Sequence, residues 1–372
     1  MKEFSLYIHI PFCVSKCVYC DFLSKPCDKQ TIDKYFNALY AEITKAGKRC
    51  NKTVTTLYIG GGTPSFVDVK YIDKLFLCLK QNFNLNLIEA TIECNPESIN
   101  SSKLECYKNN GINRLSIGIQ SLNDEILKNI GRAHDSKMAL AAVALAKKYF
   151  DNVSVDLMTG LPWQTVDDIK FEVDTLLKFN IPHFSVYGLK VEEGTKLFEQ
   201  VADGTVFINE DLSVDLYDEA YKILLANGFH RYEVSNFSYV GFESQHNLAY
   251  WRRTDYLGLG AGAFSFVDGA RFNNVQSIDD YIKIIENGNF AYGEMLPIVG
   301  DDAEFEEIML SLRTCYGLDI LKFNKKFDCN FKLKYAFALD KVKQYTALNN
   351  DNLVVLDEYF YILNSILVEF LL

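Results

Sequence analysis

Short apolar segments with the composition of β-strands alternate with amphipathic helices through the first half of the chain, and this alternation constrains the fold more than any other feature. The predicted strands are rich in β-branched and aromatic residues and comprise Ser5–Ile10, Thr55–Ile59, Ala90–Cys94, Arg114–Ile119, Ser154–Leu157 and Phe184–Tyr187. The predicted helices between them are Thr31–Arg49, Asp68–Phe83, Ser101–Asn110, Ser136–Phe150 and Thr165–Phe179. Strands that are connected through helices run parallel. The sequence therefore predicts an α/β fold in which about six such units form a partial (β/α)6 barrel, with ligands at the carboxyl ends of the strands.

A division of the chain is predicted near Gly228, after a helix at Leu212–Asn227. We expect residues 1–228 to form the barrel core and residues 229–372 to form a smaller α+β C-terminal domain. This second part opens with a stretch rich in glycine, aromatic residues and asparagine. It ends in a predicted strand, Asn352–Leu356, and a helix. A chain of 372 residues is long enough for one large and one smaller domain.

Charge and hydropathy exclude two classes of interaction. The net charge is −11, and no basic stripe or block of lysine and arginine overrides it, so we expect no nucleic-acid partner. The most apolar late stretch, residues 359–372, is short and is interrupted by Asn364, Ser365 and Glu369, so we expect no transmembrane segment. We also expect no secretory signal segment before the first strand. These observations predict a soluble, cytoplasmic protein.

Three cysteines, Cys13, Cys17 and Cys20, follow the first predicted strand at close spacing. With ten cysteines placed at random in 372 residues, this spacing would arise about 0.007 times, so it indicates a metal centre. Thiolates are soft ligands that suit iron–sulfur clusters or zinc. Structural zinc usually takes four ligands, and His9 or Cys27 could supply a fourth. We favour a [4Fe–4S] cluster, because three thiolates leave one iron free to chelate the amino and carboxylate groups of S-adenosylmethionine (SAM).

The segment His9–Phe12, followed by the cysteine triplet, resembles the opening of radical SAM proteins of the oxygen-independent coproporphyrinogen III oxidase group. The resemblance covers nearly the whole chain. It implies that Cys13, Cys17 and Cys20 bind a [4Fe–4S] cluster and that SAM binds to the open iron. In such proteins the cofactor supplies the radical chemistry, while the protein positions it and excludes water.

Glycines and polar residues at the ends of successive predicted strands are the candidate SAM contacts. Adjacent glycines let the backbone approach a ligand closely, a carboxylate can bond ribose hydroxyls, and a guanidinium group suits the SAM carboxylate. Taken singly, each such polar residue is more often a cap, a turn or a surface pair. Their joint placement favours a binding site. By resemblance, the positions that match SAM-contacting residues of the family are Tyr7, Gly61, Gly62, Thr63, Glu93, Gln120, Arg132 and Asp156.

Two functions compete on this scaffold. One is an enzyme of porphyrin biosynthesis that oxidatively decarboxylates coproporphyrinogen III, and the other is a HemW-type chaperone that binds and delivers heme. The oxidases of the group carry a further cysteine two positions after the triplet, where this chain has Phe22. They also carry an N-terminal extension before the first strand, whereas six residues precede Tyr7 here. Both differences favour the chaperone, and a radical SAM enzyme with another substrate stays open as a third possibility.

The segment Ser244–Trp251 contains the His-Asn-x-x-Tyr-Trp pattern of the chaperone family. An exposed imidazole can be an axial ligand of heme iron, which makes His246 a candidate heme contact. We expect Tyr250 and Trp251 to offer aromatic faces to the porphyrin edge. From the residues alone, a histidine satisfied by hydrogen bonds at a packed domain junction is the commoner arrangement. Further along the chain, Phe264 stands where chaperone-type sequences usually have histidine.

The sequence therefore predicts a heme chaperone of the radical SAM type, with a [4Fe–4S] cluster, SAM and heme as its cofactors. An oxygen-independent coproporphyrinogen III oxidase is the alternative. The expected partners are heme, apo-hemoproteins such as respiratory cytochromes, and an electron donor. Whether SAM is cleaved or only bound stays open. The segment Glu306–Arg313 resembles a helix in the C-terminal domain of the same group, and we assign it to packing rather than to chemistry.

Overall fold

Fifteen strands and fifteen α-helices follow one another in residues 3–371, the part of the chain that this computed structural model describes. The strands are β1 (Ser5–Ile10), β2 (Thr53–Gly61), β3 (Asn84–Cys94), β4 (Arg114–Gln120), β5 (Asn152–Thr159), β6 (His183–Gly188), β7 (His230–Arg231), β8 (Asn236–Ser238), β9 (Tyr256–Leu259), β10 (Phe264–Val267), β11 (Ala270–Asn273), β12 (Leu296–Pro297), β13 (Leu318–Asp319), β14 (Thr346–Asn349) and β15 (Asn352–Val355). The helices are α1 (Lys29–Gly47), α2 (Val69–Asn82), α3 (Ser101–Asn110), α4 (Asp124–Asn129), α5 (Ser136–Tyr149), α6 (Val166–Leu177), α7 (Lys196–Ala202), α8 (Glu210–Ala226), α9 (Gln245–Trp251), α10 (Ile278–Glu286), α11 (Gly300–Ser311), α12 (Ile320–Phe327), α13 (Phe331–Lys334), α14 (Ala336–Val342) and α15 (Leu363–Leu367). Each strand and helix predicted for the first half of the chain corresponds to one of these elements.

The first six strands lie side by side in chain order, and each runs parallel to the next. Parallel strands with helical crossovers bring their carboxyl ends to one edge of the sheet. β3 begins at Asn84 rather than at the predicted Ala90, and β2 begins at Thr53. The predicted α/β class, with the parallel order that a partial barrel requires, is confirmed.

Strands from the second half of the chain extend this sheet at both edges. β9 runs parallel to β1, and β10, β11 and β12 continue beyond it as antiparallel neighbours. At the other edge, β8 and β7 follow β6 in antiparallel order. Strands from both sides of Gly228 therefore belong to one sheet, and the predicted domain boundary at that residue stays a prediction.

Helix α1 shows how the sequence pattern places a helix. Tyr35, Phe36 and Leu39 are fully buried in the main core, as their helical spacing predicts. The Asp28 carboxylate accepts a hydrogen bond from the backbone N–H of Thr31 across 2.7 Å and so caps the first turn. This cap ends the loop between β1 and α1, which is the loop that carries the three cysteines.

A second, smaller hydrophobic core lies near the C-terminus. Its buried residues run from Ile308 to Phe370 and surround the three-stranded antiparallel sheet β13–β15–β14. A smaller α+β unit is therefore present, as the fold prediction requires. Within residues 3–371, no helix is both long and apolar enough to cross a membrane.

Candidate functional site

The loop between β1 and α1 holds the cysteine triplet. Cys13 is buried, and Cys17 and Cys20 are partly buried. The N–H of Lys25 donates to the carbonyl of Pro11 across 3.1 Å, and the N–H of Cys13 donates to the carbonyl of Lys25 across 3.4 Å. The N–H of Cys20 donates to the carbonyl of Cys17 across 3.2 Å and closes a turn. These bonds close the loop at its base and gather the three thiols within it.

The environment of the triplet bears on the choice between a cluster and zinc. All ten cysteines are free thiols. Within residues 3–371, no three His, Cys, Asp or Glu side chains converge closely enough to hold a single metal ion. His9 is engaged at both ring nitrogens, with Nδ1 2.9 Å from Tyr7 Oη and Nε2 2.9 Å from the carbonyl of Leu23. A [4Fe–4S] cluster takes each thiolate on a different iron, so its ligands need not converge on one point, and the residues present fit it.

The glycine run at the end of β2 packs against the start of the cysteine loop. Gly61 has φ +122°, and a Cβ atom there would lie 2.8 Å from the ring of His9. A Cβ atom on Gly62 would lie 2.6 Å from the carbonyl oxygen of Phe12. The N–H of Thr63 donates to that same carbonyl across 2.7 Å. Only glycine fits these two positions, so the glycine run packs tightly against the start of the cysteine loop.

Glu93 lies at the end of β3 with its carboxylate turned to the glycine run. Oε2 accepts a hydrogen bond from the N–H of Gly61 across 3.0 Å, and Oε1 accepts one from the hydroxyl of Tyr58 across 2.9 Å. Burial raises the pKa of Glu93 to about 7. Each carboxylate oxygen has a second lone pair, so the group keeps capacity for a ligand hydroxyl.

Arg132 connects the cysteine loop to the ends of β3 and β4. Its Nη1 lies 3.7 Å from Cys17 Sγ, while Nη2 donates to Asn95 Oδ1 across 3.1 Å and to the carbonyl of Gly118. A Cβ atom on Gly118 would lie 3.0 Å from Gln120 Nε2 and 3.2 Å from Asn95 Oδ1, so the absent side chain leaves room for these two amides. The Nε of Arg132 is buried and has no hydrogen-bond partner among the described residues. This unused donor fits a ligand carboxylate.

The other predicted SAM contacts lie at the same edge of the sheet. Gln120 sits at a register shift between β4 and β5 with φ +70°, a left-handed conformation that is uncommon for a residue other than glycine. Asp156 accepts hydrogen bonds of 3.1 Å from the hydroxyl of Ser116. Burial raises the pKa of Asp156 above its usual range. Tyr7 lies on β1 beside Tyr58, with ring centroids 6.2 Å apart.

Asn95 is a residue of this site that the sequence reasoning missed. Its Nδ2 donates to Thr63 Oγ1 across 3.1 Å, and its Oδ1 accepts from Arg132. One side chain therefore joins the glycine run to the arginine. A signal was present, because Asn95 is a polar residue that directly follows β3 and precedes a proline.

His246 does not present an exposed imidazole and has the hydrogen-bonded, packed arrangement that is commoner for a histidine. The side chain is fully buried. Its Nδ1 lies 2.9 Å from Thr56 Oγ1, and its Nε2 lies 2.8 Å from Tyr250 Oη. Burial lowers the pKa of His246 to about 3, so the ring is neutral. The Thr56 hydroxyl donates onward to Ser5, so Nδ1 carries the proton and Nε2 accepts from Tyr250.

A cavity of about 490 Å³ opens beside Tyr7 and Tyr250. Phe22 and Phe264 both line it, and they are 64% and 52% exposed. Phe22 and Phe264, which the sequence analysis singled out separately, are therefore brought to one cavity, although they are far apart in sequence. Trp251 is partly buried and does not line the cavity. Of the two predicted aromatic contacts, only Tyr250 therefore lies at the cavity.

Comparison with known proteins identifies the family. Residues 7–176 match the family model of the radical SAM superfamily. The heme chaperone HemW of Lactococcus lactis is 33% identical over 376 aligned positions, which cover 100% of this chain and 98% of the relative. This chain belongs to the HemW family. HemW of Bacillus subtilis is 35% identical over 87% of this chain and 86% of its own length. Membership of the radical SAM superfamily implies a [4Fe–4S] cluster and SAM.

A solved structure supports the fold assignment of the HemW family. The Escherichia coli coproporphyrinogen III oxidase HemN, a radical SAM enzyme, superposes with a TM-score of 0.88 and covers 100% of this chain and 90% of its own. The sequence identity is 23%. This chain therefore has the radical SAM fold of HemN, and that likeness concerns the fold alone.

Proposed function

We propose that this protein is a heme chaperone of the radical SAM type, which binds a [4Fe–4S] cluster, SAM and heme and delivers heme to apo-hemoproteins such as respiratory cytochromes. The observation that carries the proposal is the position of Phe22. Oxidases of the group have a cysteine there, whereas this chain has an exposed phenyl ring at a cavity beside the cysteine loop. The similarity to HemW relatives over the full chain supports the same function.

Cys13, Cys17 and Cys20 would hold the cluster, and the strand ends beside them would hold SAM. Gly61 and Gly62 would admit the methionine amino group, while Arg132 would pair its unused donor with the SAM carboxylate. The other polar contacts to SAM would come from Tyr7, Thr63, Glu93, Gln120 and Asp156. When bound, this pair of cofactors supplies one-electron reduction of the sulfonium, for which an electron donor is a further partner.

Heme would occupy the cavity beside Tyr7. Its volume of about 490 Å³ lies within the usual range for ligand pockets. Phe22, Phe264 and Tyr250 give it aromatic walls, which suit the faces and edges of a porphyrin ring. The exposure of both phenylalanines leaves the ring a route in and out, as a delivery protein requires. His246 is not offered as the iron ligand, because both of its nitrogens are bonded within the protein.

We infer a cytoplasmic location from the free thiols. All ten cysteines are free, and free cysteines in this number suit the reducing cytoplasm. The alternative function, oxygen-independent coproporphyrinogen III oxidation in porphyrin biosynthesis, shares the fold and the cofactors. Phe22 argues against this alternative, because its phenyl ring cannot provide the thiol that the oxidases carry at this position.

Heme transfer tests the proposal. The protein with its cluster reconstituted without oxygen is loaded with heme and then mixed with an apo-cytochrome. We expect a stable heme complex first and a holo-cytochrome spectrum after mixing. Cys17→Ala serves as the cluster-free comparison. A wild-type protein that forms no stable heme complex would overturn the proposal.

A further inference from the structure

Arg253 is a largely buried cation whose Nη2 lacks a hydrogen-bond acceptor among the described residues. Its side chain is 7% exposed. Nε lies 3.3 Å from Glu306 Oε1, and the guanidinium carbon lies 4.7 Å from the centroid of the Phe266 ring. The backbone has φ +52°, which is uncommon for a residue other than glycine. A charged donor buried without an acceptor is costly, so this arrangement suits a site that an anion completes.

Arg271 is a second cation at the same place. Its Nη2 donates to the same oxygen, Glu306 Oε1, across 2.8 Å, and its guanidinium carbon lies 5.6 Å from the Phe266 centroid. Its side chain is 39% exposed, so it is open to a ligand. Arg253, Arg271 and Glu306 all line the 490 Å³ cavity. Two guanidinium groups thus share one carboxylate, and the trio keeps a net charge of +1.

Strand β10 carries two aromatic residues that line the cavity, the exposed Phe264 and the buried Phe266. Phe264 and Phe266 are two residues apart and therefore lie on one face of the strand, roughly 7 Å from each other. Arg271 pairs with Phe266 in the β10–β11 register. Asp21 is the other carboxylate that lines the cavity, and it is next to Phe22 in the cysteine loop. The arginine pair thus lies against Phe266, and the exposed ring of Phe264 lies one strand repeat away along β10.

We propose that Arg253 and Arg271 bind the carboxylates of a planar tetrapyrrole whose acidic groups lie together on one edge. This inference rests on the proposed heme chaperone function and specifies the ligand of that same cavity. Heme has two neighbouring propionates and an apolar opposite edge, which match the arginine pair and Phe264. Coproporphyrinogen III carries propionates around its whole ring and would place some against the aromatic wall. Glu306 occupies the arginines in the absence of ligand and gives way to the incoming carboxylate.

The test compares hemin with its dimethyl ester on the full-length protein, with affinities measured by absorbance titration. We expect wild-type protein to bind hemin about tenfold to hundredfold more tightly than the ester, because the charge-assisted bonds need a free carboxylate. Arg271→Gln should weaken hemin binding by about tenfold and leave the ester unchanged. Glu306→Gln should strengthen hemin binding severalfold, since it removes the competing carboxylate. A gain of this kind cannot come from damage to the fold.

Arg252→Gln is the matched control, because Arg252 is exposed, neighbours Arg253 and does not line the cavity. It should bind both ligands as the wild type does. Equal wild-type affinity for hemin and its ester would overturn the inference and leave the chaperone proposal standing. Failure of the wild type to bind either ligand would overturn both. Hemin affinity that Arg271→Gln and Glu306→Gln leave unchanged would also overturn the inference.

Discussion

The hydroxyl of Tyr250 donates a hydrogen bond to Nε2 of His246 across 2.8 Å, and this bond joins the buried histidine to a residue that lines the cavity. The ring of His246 also stacks on Tyr58, with centroids 5.2 Å apart, and Tyr58 in turn donates to Glu93. A continuous chain of contacts therefore runs from the Glu93 carboxylate to Tyr250 at the cavity. His246 positions Tyr250 in this chain, and Tyr250 is the member that lines the cavity.

His246→Ala should lower the free energy of unfolding by about 2–4 kcal/mol, because it removes two buried hydrogen bonds and leaves a void. Tyr250→Phe should cost about 1–3 kcal/mol, since it leaves Nε2 of His246 without a donor. Denaturant unfolding measures both changes. The positioning role would be wrong if His246→Ala kept the wild-type stability while losing heme binding, because the histidine would then act on heme directly.

Cys17→Ala should abolish cluster absorbance and bound iron after anaerobic reconstitution, because a thiolate ligand is lost. Cys27→Ala is the matched control, since Cys27 is also a free, partly buried cysteine in the same loop. It should keep the cluster. Loss of metal from Cys27→Ala as well would indicate a four-ligand site instead.

Gly62→Ala should weaken cluster incorporation and lower the free energy of unfolding by roughly 1–3 kcal/mol, because the new Cβ atom would meet the Phe12 carbonyl just before Cys13. Gly188→Ala is the comparison, as a Cβ atom there would meet nothing within 4 Å. Iron content and thermal unfolding report the two effects. A Gly62→Ala protein with full iron content and wild-type stability would contradict the tight packing of the two loops.

The stability of the cofactor-free protein should depend on pH through Glu93. Burial raises its pKa from 4.5 to about 7, so between these values the folded state binds more protons than the unfolded state. The free energy of unfolding therefore falls as pH rises through this window. Relative to Glu93→Gln, the wild type should lose roughly 3 kcal/mol from pH 4.5 to pH 7 and change little above it. The exposed Glu125→Gln serves as control, and a difference that stays constant across the window would contradict the buried carboxyl.

The parts of the fold that local patterns control were predictable from sequence. The apolar spacing of α1 and the β-branched strands place the six parallel units, and the predicted strand ends carry Glu93, Gln120 and Asp156 to one edge of the sheet. Parallel strands with helical crossovers leave little choice of where their carboxyl ends meet. The alignment of the SAM candidates followed from that regularity.

Contacts between distant segments were not predictable in the same way. His246 is buried because Thr56 and Tyr58, about 190 positions earlier in the chain, lie beside it. Arg253 and Glu306 meet because α11 returns to the sheet edge, although the sequence pattern indicated only packing for that helix. Neither pairing has a local sequence period, since each joins segments that lie far apart in the chain.

The most direct test of the heme chaperone assignment offers two ligands to one preparation. The protein is reconstituted with its cluster without oxygen, supplied with SAM and a reductant, and given heme or coproporphyrinogen III in separate reactions. We expect stable heme binding and no release of carbon dioxide or formation of protoporphyrinogen. Sustained conversion of coproporphyrinogen III to protoporphyrinogen would contradict the assignment.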